Sequence, residues 1–305
     1  MSDAGFVGSI PEHYDTGLGP VIFVDVAAHV AAMVAAGNPN DVLETAAGTG
    51  IVSRELRKRL PPQARLVVTD LNQPMLEVAK TKFAAGDRVE FGPADAQALN
   101  FADASFDRVV CQFGIMFYPD KAQSFREALR VLRPGGRYVA SIWDSHQYNP
   151  FGRISHETVA RFFPDNPPQF QRVPFSYTLE EGKNALVEAG FDDIVMSVWR
   201  LQKPVPDLSL LARGVVHGSP LIEQIRTRGG VDPADVQRAL ETEFAAAFPD
   251  GTMPLQALIF SARRPAGPAR LRLNKNPAPG GWRGVTVRQF LGAAYIKQRL
   301  KRGSV

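Results

Sequence analysis

The chain predicts a doubly wound α/β fold, and three observations carry that reading. A short apolar run, a glycine-rich turn and a helical stretch follow one another from residue 40, beginning N-D-V-L-E-T-A-A-G-T-G-I-V-S. Strand-like and helix-like segments then alternate as far as Trp143. A second apolar run, R-L-V-V-T-D, closes on an acid, Asp70, twenty residues after Gly50. Such alternation builds a parallel sheet with helices on both faces and right-handed crossovers.

The elements follow in order. Residues 8–36 read as a loop and then one or two helices, and 41–46 as a buried parallel strand around Val42 and Leu43. Gly48 and Gly50 form the turn, and 51–60 is a helix. Further strands are expected at 65–70, 88–91, 106–112 and 136–143, with helices near 74–85 and 121–132. Asn72 is a candidate N-cap, with Pro74 in the first turn. After Trp143 prolines and aromatics crowd residues 144–178, which suits a substrate-facing cap. A helix over 179–189 stops at Gly190, and 191–201 reads as the sixth strand. Residues 207–247 form a helical insertion, split at Gly229-Gly230 and restarted by Asp232 as cap and Pro233 at the first helical position. The last strand is expected at 254–263. The chain thus divides into N-terminal cap helices (1–36), a core domain (37–264, with insertions at about 144–178 and 205–250) and a basic, Pro/Gly-rich tail (265–305).

Composition narrows the classes of function. With 305 residues, 45% of them hydrophobic, the chain can bury one sizeable core. The single cysteine, Cys111, excludes disulfides within the chain and cysteine-based metal clusters, and no metal site is expected. The net charge of +4 misleads, because from residue 263 onward there are 11 Lys and Arg and no acid. The preceding residues carry 24 basic against 31 acidic side chains, so the body is acidic and no nucleic-acid partner is expected for it. Residues 21–36 are apolar, but their length and Asp25 and His29 argue against a membrane span, and a cytoplasmic protein is expected. Within the tail, residues 286–301 suit a short basic helix.

The turn itself separates two classes of nucleotide ligand. A dinucleotide site asks for G-x-G-x-x-G, whereas this loop has Ala46, Gly48 and Ile51 at those positions. Glu44 at its mouth would oppose a pyrophosphate and suit an ammonium group. The stretch E-T-A-A-G-T-G resembles motif I of the class I S-adenosylmethionine-dependent methyltransferases. Three later stretches extend the resemblance in the same order: G-P-A-D-A-Q-A-L at 92–99, S-F-D-R-V-V-C-Q-F-G at 105–114 and L-R-P-G-G-R-Y-V-A-S at 132–141. It ends near residue 264.

The resemblance implies a Rossmann-like seven-stranded sheet of order 3-2-1-4-5-7-6 with the last strand antiparallel. It implies S-adenosyl-L-methionine as cofactor and a small, partly apolar organic acceptor, methylated on oxygen, nitrogen or carbon. Carried over residue by residue, Glu44, Ala46, Gly48 and Gly50 would cradle the methionine end, and Asp70 would hold the ribose hydroxyls. Leu71 and Met75 would wall the adenine, with Asp95 and Ala96 at its amine. Gln112 and Phe113 would lie near the sulfur, and Tyr14 would close the site from the leader. The fourth motif is Q-F-G-I rather than [D/N]-P-P-[Y/F], which disfavours methylation of bases and glutamine amides. The leader signature of the quinone C-methyltransferases is echoed only by Tyr14-Asp15. A base is needed only where the acceptor must lose a proton, and His146, His156 and Asp144 are the candidates. A nicotinamide-dependent oxidoreductase and a non-catalytic S-adenosylmethionine-binding protein are the rival readings. Either a monomer or a homodimer fits.

Overall fold

Strands buried on both faces read as apolar runs, because helices cover each side of a parallel sheet. A computed structural model of the protein describes residues 5–267 and the backbone of residues 285–291. Its strands are β1 (Asp41–Glu44), β2 (Arg65–Asp70), β3 (Val89–Pro93), β4 (Phe106–Gln112), β5 (Leu132–Trp143), β6 (Asp192–Pro204), β7 (Thr252–Arg263) and β8 (Val285–Leu291). They form one sheet in the order β3-β2-β1-β4-β5-β7-β6-β8. The expected seven-stranded order is present, with β7 antiparallel to both β5 and β6.

The tail corrects one expectation. Residues 285–291 are a strand, parallel to β6 from Ile194↔Val285 to Arg200↔Leu291, where a helix was expected. The sequence V-T-V-R-Q-F-L is rich in β-branched and aromatic residues, and that preference prevails over the basic helical spacing. The rest of the expected helix, 292–301, lies outside the described residues.

The helices are α1 (Ile10–His13), α2 (Val24–Ala35), α3 (Ile51–Arg59), α4 (Gln73–Lys80), α5 (Lys121–Val131), α6 (Pro150–Phe162), α7 (Leu179–Ala189), α8 (Leu208–His217), α9 (Leu221–Arg228) and α10 (Pro233–Ala247). Local sequence explains most of their ends. Thr178 and Glu181 close a capping box on α7, which stops at Gly190. Asp232 caps α10 with Pro233 in its first turn. The insertion breaks at Gly229-Gly230 as expected, and again at Gly218-Ser219-Pro220. Asn72 corrects the other expectation: it precedes α4 but its side chain does not cap it. Its Nδ2 donates to Asp70 Oδ1 instead, and its Oδ1 accepts from Phe6 N.

The leader is continuous from Ile10 to Ala35, with a π-helical middle, Tyr14–Phe23. By length and composition alone this helix could cross a membrane, yet much of it is buried in the body. Val26, Ala27, Val30, Ala31 and Val34 are fully covered. Gly17 and Gly214 bring the leader and α8 into backbone contact. A Cβ on Gly17 would stand 2.7 Å from Gly214 Cα, a distance no packed side chain tolerates. Gly17→Ala or Gly214→Ala is therefore expected to cost about 1–3 kcal/mol, read as a lower unfolding midpoint in urea. An unchanged midpoint would show that the two helices part freely.

Candidate active site

The glycine turn sits where β1 ends and α3 begins, beside the carboxyl end of β4. In an open α/β sheet, ligands bind in this crevice. Thr45 N donates to Val110 O at 2.9 Å and Ala47 N to Thr69 O at 2.9 Å, which pins the turn between β4 and β2. Gly50 has φ 78°, and a Cβ there would lie 2.9 Å from Ala79 Cβ, so only glycine lets α3 start this close to α4. Of the five described non-glycine residues with left-handed backbone, Ala46 (φ 50°) and Phe113 (φ 56°) lie here. Such conformations cost roughly 1–2 kcal/mol each. They flank the same cleft, and strain held in this way gathers at ligand sites.

The cleft is lined by Tyr14 and Phe23 from the leader, Glu44, Ala46 and Gly48 from the turn, and Gln112 and Phe113 after β4. Ala47, Ile51 and Val52 complete it. Its free volume is about 20 Å³. Tyr14 stacks on Phe23 at 4.9 Å, Phe23 meets Phe113 at 5.6 Å, and Phe113 stacks on Trp143 at 4.1 Å. The leader is fastened over the turn by Asp15, whose Oδ1 accepts from Thr49 Oγ1 at 2.6 Å and pairs with Lys82.

The polar end of the cleft is built for a cation. Glu44 is 1% exposed, and Ser53 Oγ donates to its Oε2 at 2.6 Å. Burial, with the nearby charge of Asp70, pushes the Glu44 carboxyl up to about 8. Gln112 donates its Nε2 to Phe23 O at 3.4 Å, leaving its buried Oε1 without a hydrogen-bond partner. A carboxyl held neutral by burial and an unsatisfied carbonyl oxygen together favour an ammonium donor. The aromatic walls suit a sulfonium in the same way. These features fit S-adenosylmethionine.

Asp70 ends β2 with 6% exposure. Its Oδ2 accepts from Gly48 N at 2.8 Å and its Oδ1 from Asn72 N at 2.8 Å, while burial raises its pKa. Leu71 beside it is 66% exposed, an apolar face at the rim. Met75 is buried, its methyl 3.5 Å from where a Gly48 Cβ would be. Ala94 N donates to Asp70 O at 3.1 Å, which draws the loop of Asp95 and the buried Ala96 against β2. Asp95 Oδ1 accepts from Gln97 N at 2.8 Å.

The methyltransferase domain family matches residues 42–136, the span from β1 into β5 that carries these residues. Over that span the chain is similar to the class I S-adenosylmethionine-dependent methyltransferases. The chain is 42% identical over 101 residues to a ubiquinone/menaquinone biosynthesis C-methyltransferase, UbiE, of Hahella chejuensis, covering 32% of the chain and 41% of the relative. It is 30% identical over 169 residues to UbiE of Pseudomonas savastanoi, covering 51% of the chain and 66% of that relative. The chain thus spans less than two thirds of the relatives it matches. Among solved structures, the YcgJ protein of Bacillus subtilis shares the fold, with TM-score 0.52, 18% identity and coverage of 79% of this chain and 98% of that one.

The structure brings Tyr14, Glu44, Ala46, Gly48, Gln112 and Phe113 into one cleft and sets Asp70 against its turn. Gly50 serves the α3–α4 contact, and Met75 supports the turn from beneath. The three candidate bases do not line the cleft. His146 Nε2 is hydrogen-bonded to Gln171 O at 3.0 Å, its ring 6.2 Å from that of His156. Asp144 accepts from Ser145 N and Gln256 Nε2 in a different pocket. Sequence reasoning missed the fastening of Asp15 to Thr49 and Lys82, a contact between distant segments with no local signature. Asp15→Ala is expected to raise the rates of cofactor association and dissociation together, by stopped-flow fluorescence. Unchanged rates would show that the leader does not gate the cleft.

Proposed function

We propose that the protein transfers a methyl group from S-adenosylmethionine to a small, partly apolar acceptor, with a hydroxylated aromatic or quinol-type ring as the leading class. The polar end of the cleft carries this reading: the Glu44 carboxyl pushed up to about 8 and the unpartnered Gln112 Oε1 ask for a ligand with an ammonium group. The C-methyltransferase names of the relatives support the acceptor class.

When bound, the cofactor supplies an already activated methyl group on a sulfonium. Glu44 and Gln112 would hold its amino end, Asp70 its ribose hydroxyls and Asp95 its adenine amine. Tyr14, Phe23 and Phe113 would exclude water and fix the methyl axis. Orientation of this kind is worth about 7–11 kcal/mol. A base is needed only where the acceptor must lose a proton, and an acidic ring hydroxyl or its adjacent carbon asks least of the protein.

The test is a panel of reduced quinones, hydroxyaromatics and amines with methyl-labelled S-adenosylmethionine, scored by labelled product and S-adenosylhomocysteine. Transfer to the ring acceptors is expected. Tight cofactor binding without transfer to any member would point to a non-catalytic binding protein.

A further inference from the structure

A second cleft, of about 290 Å³, opens at the carboxyl ends of β5 and β6. Side chains alternate between the two faces of a strand. Trp143 and Trp199 face the leader, against Phe23 and His29. Asp144 and Arg200, one residue further along each strand, line the second cleft, as do Gln256 and Leu258 of β7. These two share the parity of Phe260, whose ring lies against Gly182 of α7. The cleft is therefore on the α7 face, away from the leader. Its size is close to the lower end of small-molecule pockets, roughly 300–1,000 Å³.

Its polar wall is a fixed hydrogen-bond chain. Asn149 is fully buried; its Nδ2 donates to Asp144 O at 2.8 Å and Gln256 O at 2.9 Å, and its Oδ1 accepts from Gln256 N at 2.9 Å. Gln256, 5% exposed, donates its Nε2 to Asp144 Oδ2 and accepts at Oε1 from Arg200 Nε. Arg200 is thereby held by one nitrogen, and among the described residues its guanidinium joins no ion pair. Its two terminal nitrogens remain as a fork, the geometry that binds a carboxylate through two hydrogen bonds. The guanidinium lies 5.9 Å from the ring centroid of Tyr148, itself 41% exposed. Phe175 and Tyr177 continue the aromatic lining, opposite Val198 and Leu258.

We propose that this cleft is a second small-molecule site, taking a planar ring that bears a carboxylate, its anion on Arg200 and its ring against Tyr148 and Phe175. A series of aromatic contacts separates it from the cofactor cleft. Phe113 stacks on Trp143, Trp143 meets Phe151 at 5.8 Å, and Phe151 meets Phe175 at 5.6 Å. A ligand here neither touches nor displaces the cofactor, so the site stands independently of the proposed reaction.

The test is ligand-observed NMR titration of the full chain with 2-naphthoate, and with 2-naphthamide as the neutral counterpart. Saturable binding of the carboxylate is expected, with the amide about tenfold weaker, as befits loss of a charged hydrogen bond. S-adenosylhomocysteine should leave the binding unchanged. Arg200→Gln and Tyr148→Ala should each weaken it severalfold without lowering the melting temperature; both side chains are exposed, and if one variant melts early the other decides. Absence of saturable binding, equal affinity for acid and amide, displacement by S-adenosylhomocysteine, or parental affinity in both variants would each overturn the proposal.

Discussion

At pH 8.5, Glu44→Gln is expected to melt at a higher temperature than the parent protein while binding S-adenosylmethionine about 1.5–3 kcal/mol more weakly. Both effects come from one buried carboxyl. Its pKa in the folded protein is pushed up to about 8 from an ordinary value of 4.5. The folded state therefore holds a proton that the unfolded state has released between those values. Stability is fullest below about pH 4.5 and declines, by up to about 1.4 kcal/mol per pH unit, as pH rises toward 8. Glutamine keeps the shape without the titration, so the variant should lose that slope. An ammonium group reverses the balance, because it favours the ionised form. Cofactor affinity in the parent should then rise as pH goes from 6 to 8, with proton release visible as a buffer-dependent heat in calorimetry. The variant should show neither. A parent protein whose affinity is flat across this range would remove Glu44 from the ammonium's neighbourhood.

Asp70→Ala is the second large effect. The carboxylate accepts from the amides of Gly48 and Asn72, and under the proposed function it would also hold the ribose hydroxyls. Alanine leaves both amides without this acceptor, at about 1–3 kcal/mol of stability for a buried one. It should also weaken S-adenosylmethionine and S-adenosylhomocysteine alike, by about 1.5–3 kcal/mol, since the ribose is common to both. Equal loss for the two ligands, in a variant still folded at the assay temperature, is the expected result. Undiminished affinity would restrict Asp70 to holding the turn.

Much of this site was legible because its parts are local. Glu44, Gly48 and Gly50 lie within seven residues of chain, and Asp70 ends the next strand, so spacing alone places them at one edge of the sheet. Gly190 and the Asp232-Pro233 start were legible for the same reason: a helix end is decided by the few residues around it. Asn72 shows the limit of that logic. Its position suited a cap, but the competing partners Asp70 and Phe6 come from other segments. Asp144 shows another. Alternation along β5 fixes that it and Trp143 face opposite ways, yet nothing in the strand says which face the cofactor takes. That depends on where the leader lies, and the leader is held by glycine contacts with α8. The strand at 285–291 holds a single charge, Arg288, and its β-branched and aromatic residues decide its conformation, while the basic cluster that suggested a helix lies further along the sequence.

The Gly17–Gly214 contact also sets an order of events during synthesis. The leader leaves the ribosome with its apolar face complete, but its seat on α8 is made roughly two hundred residues later, and contacts so distant in sequence close slowly. Until then α2 can pack only on α3, β4 and β5, and the stretch Tyr14–Phe23 lacks its partner.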